Sequence, residues 1–90
     1  MPISEFDSLK QALKAMVIKE CGKDVPPDQI GDDEQLIGGP LELDSLDALQ
    51  ICLAVVEQYG VRIEGGKDAR KALVSITTLA ETIAAAKATA

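Results

Sequence analysis

Five consecutive residues, Leu43-Asp44-Ser45-Leu46-Asp47, set one hydroxyl among carboxylates at the start of the most apolar helical stretch of the chain. A serine acts as a nucleophile within its own protein when a neighbouring base, most often histidine, takes its proton. The chain has no histidine. A Ser-His nucleophile is therefore excluded, and the chemistry left to Ser45 is modification by another enzyme. The plainest role for the same residues is a helix start. Asp44 is then the N-cap, Asp47 stands at N3 where a carboxylate favours the helix dipole, and Ser45 is a tolerated polar residue at N1.

Three features favour modification. A serine exposed at a helix N-terminus meets free backbone N–H groups and a dipole that stabilise an attached phosphate. It follows an acidic loop that would attract a basic modifying enzyme. The helix behind it is also more apolar than a single core contact requires. At about 100° per residue, Ala48, Ile51, Cys52, Val55 and Tyr59 share one stripe, and Leu46, Leu49, Leu53 and Val56 form a second beside it. Asp47, Gln50, Glu57 and Gln58 take the remainder. A surface helix usually needs an apolar arc of about 100° or somewhat more, and the two stripes exceed that. Two explanations stand side by side: neighbours clamp the helix on both sides, or part of the second stripe faces a partner protein or a bound apolar chain.

Charge is concentrated near the serine. Residues 1–23 sum to +1, residues 24–47 to −8 with no basic residue, and residues 48–90 to +1, within a net charge of −6 over 90 residues. Nucleic-acid binding is disfavoured, because phosphate backbones demand basic surface and single strands demand stacking platforms. Phe6 and Tyr59 are the only aromatic residues. The length predicts one domain over 1–90 with a modest core and little room for an enclosed substrate cavity. Apolar residues make up 47% of the chain, enough to exclude wholesale disorder. Cys21 and Cys52 lack the spacing of a zinc or redox pair. No signal-peptide pattern and no apolar run of membrane-spanning length is present, so the expected setting is a reduced cytoplasm and the expected state a monomer.

The elements that must position Ser45 are helical. Phe6, Leu9, Leu13, Met16 and Val17 recur at helical spacing over Ser4 to Cys21, with Lys10, Gln11 and Lys14 on the other side and Gly22 as C-terminal cap. Residues 23–43 read as a long loop broken by prolines and glycines and anchored by Ile30, Leu36, Ile37, Leu41 and Leu43. A helix follows over Ser45 to Tyr59, ended by Gly60, then extended Val61-Arg62-Ile63. Gly65-Gly66 precede a short helix, Lys67 to Leu73. A last helix starts with Thr78 as N-cap and Glu81 three residues on, in a capping-box pattern, with Leu79 and Ile83 inward. The expected fold is all-α: a small bundle of three main helices plus one short helix, with a long loop between the first two.

With these residues in place, the chain resembles the acyl carrier protein family. Leu43-Asp44-Ser45-Leu46-Asp47 is similar to its phosphopantetheine-attachment motif. The likeness continues through Glu57-Gln58-Tyr59-Gly60-Val61-Arg62-Ile63 and resumes at Ile76-Thr77-Thr78-Leu79. The resemblance implies a non-catalytic, stand-alone carrier. Ser45 would accept 4′-phosphopantetheine from coenzyme A through a phosphopantetheinyl transferase, which supplies the base and the magnesium. Acyl intermediates of fatty-acid or specialised lipid or polyketide biosynthesis would ride the arm as thioesters, delivered at high effective concentration to synthases, acyltransferases or ligases. Asp44, Leu46, Asp47, Leu49 and Leu53 are the implied partner face. Ile51, Cys52, Val55, Tyr59 and Ile63 are the candidates for lining the acyl-chain space, each equally explained as core.

The chain also departs from the family. Gln50 and Val56 stand where acidic residues are common, Lys67-Asp68-Ala69-Arg70-Lys71 is net basic, and the link from Ile63 to Ile76 is about five residues longer than usual. These differences leave the attachment role intact and point away from the standard fatty-acid synthase partners. An unmodified helical interaction module and an aminoacyl or peptidyl carrier remain the alternatives. The acids Asp28, Asp32, Asp33 and Glu34 do not match the spacing of a calcium-binding loop, and Gly38-Gly39 lacks the lysine of a phosphate-binding loop.

Overall fold

In a computed structural model describing residues 2–39, 43–64 and 67–89, apart from the side chains of residues 2–5, 88 and 89, the chain is helical. Helix α1 spans Pro2–Cys21, α2 Ser45–Tyr59, α3 Lys67–Ala72 and α4 Ile76–Thr89, with one 3₁₀ turn at Pro27–Gln29. Three main helices and a short one match the expected architecture. Helix α1 begins two residues before the expected Ser4, since proline is tolerated in a first helical turn. Helix α3 ends one residue early, although the Leu73 amide still bonds the Ala69 carbonyl at 2.9 Å.

The helix ends follow from local chemistry. Gly22 adopts φ +65°, which lets the Lys23 amide reach the Ile18 carbonyl at 3.0 Å and the Gly22 amide reach Lys19 at 3.4 Å. That is the paired closure of a Schellman motif, whose left-handed position suits glycine because it strains the backbone of residues that carry a Cβ. Gly60 ends α2 in the same left-handed conformation.

The expected cap of the last helix is corrected. Helix α4 starts at Ile76 and its N-cap is Ser75. The Ser75 amide donates to Thr78 Oγ1 at 2.9 Å and the Thr78 amide to Ser75 Oγ at 3.2 Å. Thr78 is thus the N3 half of the reciprocal cap, and Glu81 lies a turn further on, exposed. The Ser-x-x-Thr pair does the work of the usual Ser/Thr-x-x-Glu box because each hydroxyl oxygen accepts from the other residue's backbone amide, as a Glu carboxylate would.

The core draws on every part of the chain: Leu13, Met16 and Val17 from α1, Ile51, Ala54 and Val55 from α2, Leu73 after α3, and Ile76, Leu79, Ala80 and Ile83 from α4. The long loop contributes Ile30, Leu36 and Leu43, all buried, while Ile37 is half-buried. Leu41, like Gly65-Gly66, lies outside the described residues. Backbone bonds pin the loop to the α3–α4 junction: Leu36 donates to the Val74 carbonyl at 3.0 Å, Thr77 donates to Asp32 at 2.9 Å, and Gly38 donates to Leu43 at 3.0 Å. The 23-residue connection between α1 and α2, with a single 3₁₀ turn, is therefore held by packing and hydrogen bonds.

One staple runs against the sequence reading of α1. Lys10 and Lys14, expected on the outer side, both turn to Asp32, with Nζ to carboxylate distances of 2.8 and 2.6 Å. Lys14 is buried. Its aliphatic stem packs beside the core while its ammonium finds a carboxylate, which is how a long cationic side chain tolerates burial. The Asp32 carbonyl also accepts from Thr77 Oγ1 at 3.1 Å, so one residue ties α1, the loop and α4 together.

Candidate functional site

The start of α2 is built by a reciprocal pair of carboxylates. The Asp47 amide donates to Asp44 Oδ1 and the Asp44 amide to Asp47 Oδ2, each at 3.0 Å. Asp44 sits in extended backbone as the N-cap, and the two acids form the capping box. Both carboxylates thus hold backbone first; Asp44 is exposed, while Asp47 is half-buried and also faces the Cys21 thiol. The Ala48 amide is taken by the Asp44 carbonyl at 3.0 Å. Among the described residues no acceptor takes the amides of Ser45 and Leu46, which stand at the dipole's positive end, where an anion is favoured. Ser45 is exposed, and its hydroxyl makes no hydrogen bond among the described residues.

Ser45 opens onto a cleft of about 680 Å³ between α2 and the α3 side of the molecule. Ala48, Leu49 and Cys52 form the α2 wall, and Ala69, Leu73, Val74 and Ile63 form the facing wall. Ile37, Gln35 and Asp33 reach it from the loop, and Arg70 from α3. Gln35 is already engaged, its side-chain amide donating to the Ile37 carbonyl at 2.7 Å. The result is an apolar trough with a hydroxyl at one edge and two charged groups, Asp33 and Arg70, on its lining. Burial raises the Cys52 thiol above its usual range, so it meets the trough as a neutral group. The volume falls in the range of small-molecule pockets and is larger than a chain of this length promised.

The two stripes of α2 part company. Ile51 and Val55 are fully buried in the closed core, with Ala48, Cys52 and Tyr59 half-buried beside them. The second stripe stands in solvent: Leu46 is 72% exposed, Leu49 54%, Leu53 52% and Val56 44%. Nothing within the described chain clamps it. Val74 is 52% exposed and lines the cleft with Leu49, so the exposed apolar surface continues from α2 to the far wall.

Of the candidates for lining an acyl-chain space, the structure places Cys52 and Ile63 in the trough, Ile51 and Val55 in the closed core behind it, and Tyr59 on the core's margin. The wheel cannot separate these, because one apolar stripe serves both the core and the trough. The residues missed by sequence reasoning are those of the far wall and rim. Leu73, expected as the last residue of the short helix, and Val74 lie in the turn after α3, a segment too short to show an apolar period, while Arg70 stood out only as part of a net basic segment and Asp33 only among acids weighed for calcium. Cys21 lies off the trough lining, and burial first, then the Asp47 carboxylate, push its thiol up to about 11.

The family model for the phosphopantetheine attachment site matches residues 11–85. The chain has no match among curated proteins. The matched span takes in the second half of α1, the whole loop, α2 with Ser45, α3 and the first ten of the fourteen residues of α4.

Proposed function

From the chain's membership of the phosphopantetheine attachment site family, whose members carry covalently bound 4′-phosphopantetheine, we propose that this protein is an acyl carrier and that Ser45 is its attachment residue. The observation that carries the assignment is the placement of Ser45: exposed, unbonded, at the first position of α2, and on the edge of an apolar trough. The site fits the group on three counts. The hydroxyl is accessible, two first-turn amides are free for phosphate oxygens, and the trough is large enough for a short acyl chain.

The chain's own residues prepare and shelter rather than catalyse. Asp44 and Asp47 hold the first turn of α2, so that Ser45 is presented in one backbone geometry. Loading forms an ester bond between Ser45 Oγ and the coenzyme A phosphorus that bears the pantetheine. The nucleoside bisphosphate leaves, and the hydroxyl proton passes to a base on the transferase, since this chain has no histidine. The bound arm supplies a terminal thiol on which cargo is held as a thioester. Leu46, Leu49 and Leu53 meet the transferase and then the acyl-processing enzymes, with Asp44 and Asp47 steering encounter. Cys52, Ile63, Leu73 and Val74 exclude water from an apolar segment of the cargo.

Intact-mass analysis after incubation with coenzyme A and a phosphopantetheinyl transferase tests the assignment. The chain should gain one phosphopantetheine, and Ser45→Ala should gain none. Gain in the variant would move the site elsewhere. Absence of gain with several competent transferases would favour an unmodified interaction module built on the exposed α2 stripe.

A further inference from the structure

Among the described residues, Arg70 is the one cation on the lining of the trough that Ser45 opens onto. The side chain is exposed and forms no ion pair among the described residues. Asp33, the acid on the same lining, lies beyond ion-pair distance of it. The rest of the lining is mostly apolar, with Leu49, Cys52 and Leu73 prominent. A guanidinium in such a place is suited to an oxyanion, since its planar fork matches phosphate and carboxylate geometry in two parallel bonds. Anything esterified to Ser45 through phosphate brings that oxyanion with it. It also arrives next to Asp44 and Asp47, whose negative charges oppose it. Compensation comes from the opposite side, where Arg70 is flanked on α3 by exposed Lys67 and Lys71.

We propose that Arg70 binds an oxyanion of the group carried on Ser45. The proposal rests on the attachment reading above. The oxyanion has two possible sources with the same chemistry: the phosphodiester that joins the arm to Ser45, or an acid group on the cargo. Asp33 opposes either, and so sets how firmly the anion is held.

The full chain is loaded by a transferase from coenzyme A, butyryl-coenzyme A and succinyl-coenzyme A, and occupancy is checked by intact mass. The Arg70 Nε–Hε resonance, assigned by its loss in Arg70→Gln, is then followed for hydrogen exchange with solvent. Arg62, already within 3.9 Å of Glu64, serves as the internal control. Exchange at Arg70 should slow about two- to fivefold on loading, the size expected of an exposed ion pair, with no change at Arg62. Slowing in all three loaded forms identifies the phosphodiester; slowing with succinyl alone identifies a cargo carboxylate. Asp33→Asn should deepen the protection. Complete mass gain with unchanged Arg70 exchange in every form overturns the Arg70 role and leaves the carrier reading standing. Absence of mass gain overturns both.

Discussion

Each carboxylate beside Ser45 has two functions that a simple charge change confuses. Asp44 caps α2 through Oδ1 and also contributes negative field at the docking end. Asparagine keeps the acceptor oxygen and removes the charge; alanine removes both. Asp44→Ala should therefore lose about 1 kcal/mol in urea unfolding, and Asp44→Asn should stay near wild type. Both should associate more slowly with the transferase at low salt, a difference that shrinks as salt is raised. If Asp44→Asn associates as fast as wild type at low salt, the carboxylate acts through the cap alone. The reciprocal bond from the Asp44 amide to Asp47 Oδ2 makes the same separation necessary at Asp47.

Helix α2 carries both a core stripe and a free stripe, and the two should respond oppositely to truncation. Ile51 is fully buried, so Ile51→Ala should cost about 2–5 kcal/mol through lost burial and the cavity left behind. Leu49 and Leu53 are more than half exposed, so Leu49→Ser and Leu53→Ser should change stability by no more than about 0.5 kcal/mol. Their effect should fall on binding, as a faster dissociation of the transferase with association little changed. Surface-plasmon kinetics beside denaturant melts would separate the two. A large stability loss for Leu53→Ser would mean that the stripe is packed in solution, contrary to its exposure here.

Across the whole molecule, acid stability should report the Asp32 staple. Hydrogen bonds from Lys10 and then Lys14 hold the Asp32 carboxyl below its ordinary value of 3.8. A carboxyl depressed in the folded state contributes its full stabilisation above the unfolded value and loses it as pH falls through the folded one. Asp32→Asn should thus be destabilised by about 1–3 kcal/mol at neutral pH, toward the lower end because the carboxylate is partly exposed and screened. The gap from wild type should close as pH falls below 3.8. A gap of constant size down to strong acid would show that the loss in Asp32→Asn does not come from the carboxylate's charge pairing with Lys10 and Lys14. The staple also removes one acid from the outward field of the loop, so the negative surface near Ser45 rests on fewer free carboxylates than the sequence suggests.

The elements were legible in the sequence because they rest on local rules. Helical spacing marked the inner face of α1, glycines marked the ends of α1 and α2, and the Asp-x-x-Asp spacing marked the first turn of α2 with Ser45 on it. The cap of α4 was misplaced because Ser75 and Thr78 are both good N-caps, and local preference does not rank them. Burial of Ser75 at the core's edge decides it. Long-range matters were settled only by the tertiary structure. The direction of Lys14 depends on Asp32, eighteen residues away in sequence, arriving beside α1. The trough depends on where the turn after α3 docks against α2, which no period along the chain encodes. One apolar stripe of α2 is buried and the other is free because the bundle supplies neighbours on one side only, a count that belongs to the packed molecule and to no single segment of it.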